Sequence, residues 1–77
     1  MTDKLIELFS EGLAVPVEVL DDDSSPDNTK TWDSLAAMTM VSLIEDTFGV
    51  ELSTREIMKM QTIGIARQVL RGKEIDV

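Results

Sequence analysis

Residues 32–49 read WDSLAAMTMVSLIEDTFG, and this stretch decides the fold. From Ser34 to Phe48 it contains neither Gly nor Pro, and Met40, Ile44 and Phe48 recur at i, i+4 and i+8 with Ala37, Val41 and Leu43 beside them. That spacing predicts a helix with one wide apolar face. Gly49 is placed to end it, because glycine takes the positive φ that closes many helices without steric cost. Asp33 is placed to begin it as an N-cap, which puts Ser34 in the first turn.

Working outward from this central helix, three more are predicted. Thr2 or Asp3 can cap a first helix whose apolar positions Leu5, Ile6, Phe9 and Leu13 recur at three- and four-residue spacing, ending near Val15 because Pro16 disfavours helix in the residue before it. Residues 21–28 (DDDSSPDN) are too polar and too rich in turn formers for a core element, so a long loop is expected, its apolar start at Val17, Val19 and Leu20 packing on the core. After Val50 and Leu52, Ser53 followed three residues later by Glu56 is a capping-box pattern that opens a short third helix through Ile57 and Met60. Thr62 is read as the cap of a last helix with Ile63, Ala66, Val69 and Leu70 inward, closed by Arg71 and Gly72, with a frayed tail from Lys73 to Val77. The expected fold is all-α: a small antiparallel four-helix bundle with a long loop between the first two helices and a short third helix, residues 1–77 forming a single domain.

Composition narrows the function. A chain of 77 residues holds one small core and has little room for a cleft that surrounds a substrate, so an enzyme is not expected. It has no Cys, so packing alone must hold it together, without disulfides or thiolate metal sites. Fifteen acids against seven bases give a net charge of −8, which repels nucleic acid and anionic membranes and favours partners with basic surfaces. The charge is divided unevenly. Residues 1–50 carry eleven acids and two bases, net −9, while residues 51–77 carry four acids and five bases, net +1. Electrostatic docking is therefore expected in the first two thirds. No apolar run approaches the roughly 20 residues of a membrane span, and Asp3, Lys4 and Glu7 among the first residues argue against a signal peptide. A cytoplasmic monomer is expected.

Ser34 stands apart from the other serines. Ser53 is used as a cap, Ser10 and Ser42 lie within helices, and Ser24 and Ser25 lie in the loop away from any helix start. A nucleophilic hydroxyl needs a positioned base, yet the chain has no His, Cys or Tyr to supply one, and Lys30 is the only nearby candidate. Ser34 is thus a substrate for modification rather than a catalyst. A helix N-terminus presents unpaired N–H groups and partial positive charge, which stabilise a phosphate attached there. A calcium reading of the acidic loop fails by contrast: Asp21, Asp23 and Ser25 fit positions one, three and five of an EF-hand, but position six is Pro26 and position twelve is Trp32. No metal site is assigned.

The stretch Asp33-Ser34-Leu35 resembles the modified motif of the acyl carrier protein family, in which an Asp-Ser-Leu opens the second helix of a four-helix bundle. The resemblance extends downstream through Phe48, fourteen residues past the serine and just after Glu45 and Asp46, through Val50-Glu51-Leu52 as the strand-like link into the third helix, and through Thr62-Ile63 as the start of the fourth. It covers essentially the whole chain. It implies that a phosphopantetheinyl transferase, using coenzyme A and magnesium, joins 4′-phosphopantetheine to Ser34 Oγ, with Asp33 presenting the serine, and that acyl groups ride on the arm as thioesters. It implies further partners: acyl-transfer or condensing enzymes with basic docking surfaces, met by Leu35 and Met38 as apolar contacts and Glu45 and Asp46 as acidic ones.

Two positions depart from the family. The residue before the Asp is commonly small but is Trp32 here, read either as a loop anchor against the bundle or as a partner contact beside the arm. On the exposed face of the central helix, standard fatty-acid carriers have acids two and five residues past the serine, where this chain has Ala36 and Thr39. These substitutions put the usual partner set in doubt. Met40, Met58 and Met60 are read as adaptable core filler, which also suits a bundle that opens around an acyl chain. The expected function is a stand-alone carrier in fatty-acid-like, polyketide or other specialised acyl biosynthesis. A peptidyl or aminoacyl carrier is the alternative within the family, and a small acidic helical interaction module without a prosthetic group the alternative outside it.

Overall fold

The computed structural model describes residues 3–77, in which every regular element is helical. Helix α1 spans Lys4–Leu13, α2 Ser34–Phe48, α3 Thr54–Lys59 and α4 Ile63–Gly72, with a 3₁₀ turn at Val17–Val19 in the long connection between α1 and α2. Asp3, not the undescribed Thr2, is relevant to the start of α1: its carboxylate accepts from the N–H groups of Leu5 and Ile6. Helix α1 stops at Leu13, two residues before the expected end, because Ala14 turns into the left-handed region at φ 57°. The N–H of Val15 and the carbonyl of Ser10 then close the turn, and the Ser10 hydroxyl donates to the carbonyl of Val15.

Helix α2 has the bounds expected from its sequence, with Asp33 as N-cap and Gly49 at φ 65° as C-cap. Its Met40, Val41 and Ile44 enter the core, where they meet Leu5, Phe9 and Leu13 of α1 and Ile63, Ala66 and Leu70 of α4. Helix α1 packs against both α2 and α4, and α3 packs on α4. Ser53 and Glu56 form the full capping box at the start of α3, and the Thr62 hydroxyl accepts from Ile65 N–H at the start of α4. The Ser53 backbone N–H, aided by Lys73, holds the Glu56 carboxyl below its ordinary pKa.

Four expectations need correction. Val19, expected on the core, is 63% exposed and Val17 is exposed beside it, because the 3₁₀ turn directs only Leu20 inward. Met58, expected inside with Met40 and Met60, is 70% exposed: six residues of helix bury one edge, and Ile57 occupies it. The link at residues 50–53 is extended chain with no strand partner among the described residues, and it is held by burial of Leu52. The tail is not frayed. Lys73 and Ile75 N–H groups both donate to the Leu70 carbonyl, Glu74 takes a positive φ of 67°, and Ile75 and Val77 return to the core.

The long connection is fixed from three sides. Within it, Ser24 Oγ accepts from Asp21 N–H and Asn28 Oδ1 from Ser25 N–H, so much of its polarity is spent on its own turns. Toward α4, the carbonyls of Asp22 and Ser24 accept from Gly64 N–H (2.9 Å) and Ile63 N–H (3.2 Å), the donors that the first turn of a helix leaves unpaired. Gly64 permits this approach, since a Cβ there would lie 3.0 Å from the Asp22 carbonyl oxygen. The third attachment is ionic. Arg67, whose side chain is 10% exposed, donates from Nη2 to Asp3 Oδ2 (2.6 Å) and Asp22 Oδ1 (2.8 Å), with Nη1 to Asp3 and Nε to Asp22 at 3.2 Å.

The hydrogen bonds from Arg67 hold the Asp3 carboxyl below its ordinary value against the opposing effect of burial, and Asp3 and Asp22 in turn raise the guanidinium. A carboxylate depressed on folding contributes stability that is present above its unfolded pKa and is lost as pH falls through the folded one. Urea unfolding of the wild type should therefore show a midpoint that drops between pH 6 and pH 3. Arg67→Met should lower stability at neutral pH by about 1–2 kcal/mol, a value reduced by the exposure of both aspartates, and should flatten the acid dependence. An unchanged acid slope in the variant would show that Asp3 is not coupled to Arg67.

Candidate functional site

The N-terminus of α2 is built by the loop that precedes it. Trp32 is 5% exposed, with its ring centroid 5.3 Å from that of Phe9 at an interplanar angle of 49°, a tilted aromatic pair. Its main-chain N–H donates to the Thr29 carbonyl. With Trp32 held, Asp33 adopts the extended conformation of an N-cap and its Oδ1 accepts from Ala36 N–H at 2.8 Å. The Asp33 carbonyl takes the Ala37 N–H. What remains outward are the N–H groups of Ser34 and Leu35, at the positive end of a fifteen-residue helix.

Ser34 is exposed, and among the described residues no group hydrogen-bonds its hydroxyl. It borders an open depression together with Pro26, Trp32, Asp33 and Ala37. Leu35 is 77% and Met38 60% exposed, which leaves two large apolar side chains in water next to the serine. Among the described residues no basic or acidic side chain hydrogen-bonds Ser34 Oγ, an arrangement unlike that of an activated nucleophile. The geometry offers an accessible oxygen, a helix end that favours attached phosphate, and apolar side chains for a partner to cover.

A scan against protein families places this arrangement. The family model for the phosphopantetheine attachment site matches residues 3–64, most of the chain. The chain belongs to the phosphopantetheine-attachment family. No curated protein matches it. Family membership makes the protein a carrier of covalent 4′-phosphopantetheine, of a kind generally acted on by transferases and acyl-transfer enzymes and not itself catalytic. The residues present fit the group: Ser34 offers an exposed hydroxyl for a phosphodiester, and the first turn of α2 leaves the N–H groups of Ser34 and Leu35 for a negative charge at that helix end.

The structure sorts the remaining site residues of this carrier. Trp32 as a partner contact is corrected: stacked on Phe9 and almost without exposed surface, it is the loop anchor. Ala36, read on the exposed face, is partly buried against the core, while Thr39 is exposed with its hydroxyl donating to the Leu35 carbonyl. The acidic pair divides. Asp46 is exposed, whereas Glu45 is half-buried and its Oε2 accepts from Leu52 N–H at 2.9 Å, pinning the link after α2. Among the described residues no acidic cluster is arranged to hold a metal ion, and no helix is long and apolar enough to cross a membrane. In the acidic loop Asp21 Oδ1 accepts from Asp23 N–H.

Sequence reading missed Arg67. Its signal was present: Ile63, Ala66, Arg67 and Leu70 stand at i, i+3, i+4 and i+7, so the arginine lies on the buried stripe of α4. The split between the two acids is directly testable. Glu45→Ala should destabilise the fold by about 1–2 kcal/mol by leaving the part-buried Leu52 N–H unpaired. Asp46→Ala should stay within about 0.5 kcal/mol of wild type in the same urea titration.

Proposed function

We propose that Ser34 Oγ is the attachment point and that the protein is an acyl carrier serving fatty-acid-like, polyketide or other specialised acyl biosynthesis. The observation that carries this reading is the exposed, unpartnered Ser34 hydroxyl in the first turn of α2, beside the N-cap Asp33, in a chain of this family. When bound, the group supplies a thiol that holds acyl cargo as a thioester. The protein's own residues do the rest. Asp33 fixes the helix start and presents the serine to the transferase, while Leu35 and Met38 give partner enzymes an apolar seat. Asp46 and the acidic loop draw basic docking surfaces, and Glu45 contributes charge from its pinned position. A tether of this kind works by raising the effective concentration of its cargo at each enzyme.

In the same reading the chain is a single-domain, antiparallel four-helix bundle that acts as a cytoplasmic monomer. The neutral Ala36 and Thr39 support a partner set distinct from that of standard fatty-acid carriers.

Two measurements check these assignments. With coenzyme A, magnesium and a broad-specificity phosphopantetheinyl transferase, intact mass should rise by about 340 Da, the size of one phosphopantetheine, and Ser34→Ala should gain nothing. Gain of mass on Ser24, Ser25 or Ser53 would refute the assignment. The rate of that modification should fall as salt rises, because surface charge is screened over about 10 Å at 0.1 M. Asp46→Lys should slow it more than Asp76→Lys; equal slowing would move the docking face away from α2.

A further inference from the structure

The depression outside Ser34 and a small, partly open pocket beside it share two lining residues. That pocket lies between Phe9 of α1, Met40 and Val41 of α2, Ile57 of α3 and Met60 just past the end of α3. Trp32 and Ala37 line it as well as the Ser34 depression. Of these two shared side chains the indole is by far the larger, and it is almost fully buried. The pocket measures about 20 Å³, space for a single water and not for an alkyl chain. The indole is braced by its tilted contact with Phe9, and the backbone that carries it by the bond from the Trp32 main-chain N–H to the Thr29 carbonyl.

We propose that Trp32 walls the carried group out of the interior, and that this carrier therefore serves short or polar acyl cargo. The inference rests on attachment at Ser34 and names the class of cargo that such attachment would hold. A group tethered at Ser34 meets the outer face of the indole, so its chain stays in water or against the exposed Leu35 and Met38. Leaving a chain in water carries a cost that grows with every methylene, and this disfavours long alkyl cargo while leaving short or polar groups unaffected. The exposed Met58 does not alter this, since Ile57 and Met60, not Met58, line the pocket.

The chain's only tryptophan reports on its own position. Protein loaded from acetyl-, butyryl- and octanoyl-coenzyme A, with loading verified by intact mass, should show the same Trp32 emission maximum and iodide quenching in all three forms. Retention on a hydrophobic-interaction column should rise with acyl length. Emission that shifts with octanoyl, together with retention that does not depend on length, would overturn the proposal by showing the chain inside. An arm-free measurement uses unmodified protein in toluene-saturated buffer. Wild-type Tm should not move, whereas Trp32→Ala, with the indole removed, should gain about 2–5 °C from toluene bound in the opened apolar space. Trp32→Leu replaces it if the alanine variant does not fold. Stabilisation of the wild type by toluene also overturns the proposal, and this holds whether or not Ser34 is loaded. Failure of loading at Ser34 with an unmoved wild-type Tm would instead refute the attachment reading and leave the closed wall standing.

Discussion

A guanidinium stripped of most of its water must find carboxylates within the protein, and Arg67 finds two, Asp3 and Asp22, on segments far apart in sequence. Removing either carboxylate would leave a half-paired charge on the buried stripe of α4. The cluster thereby specifies where the acidic loop lies: Asp22 cannot move away without undoing the charge balance of α4 and of the α1 cap together. Everything that prepares Ser34 follows from that placement. The loop reaches Thr29 and Trp32 at a set position, Trp32 stacks on Phe9, and Asp33 is delivered to cap α2.

Carriers of this family are generally not catalytic, and the construction of the site fits that. Asp3, Glu56 and Arg67, whose pKa values are displaced by their hydrogen bonds, belong to structural contacts away from Ser34. The serine is surrounded by open space and apolar side chains. With Ser34 as the proposed attachment point, activation falls to the modifying enzyme, and the carrier contributes a helix end and a surface that partners can cover.

What was legible in the sequence was what local chemistry determines. Helix α2 could be bounded to the residue because Asp33 and Gly49 cap it from adjacent positions and its apolar period is uninterrupted. The capping box at Ser53 and Glu56 and the cap at Thr62 are local in the same sense. The place of Ser34 in the first turn of α2 was legible because it lies within one such cap. The missed features are long-range. Arg67 is paired across 45 and 64 residues, and no local rule joins an acidic loop to one arginine of a later helix. Glu45 was read as a surface acid because its partner, the Leu52 N–H, lies seven residues on and beyond a helix end. The tail was misread because Gly72 suggested a stop, whereas the chain makes one more turn at Glu74 and brings Ile75 back.

The backbone bonds from Ile63 and Gly64 to the loop have a dynamic consequence. A helix normally caps itself with a neighbouring side chain and frays from its first turn, but two of the first donors of α4 are matched by carbonyls contributed some forty residues earlier. Lifting the loop exposes those amides, and their exposure loosens the first turn of α4. The connection and the last helix therefore open as one cooperative unit, despite lying on either side of α2 in the sequence. The amide hydrogens of residues 63 and 64 are shielded from solvent only while the loop is seated, so the first turn of the last helix is coupled to the segment before Ser34.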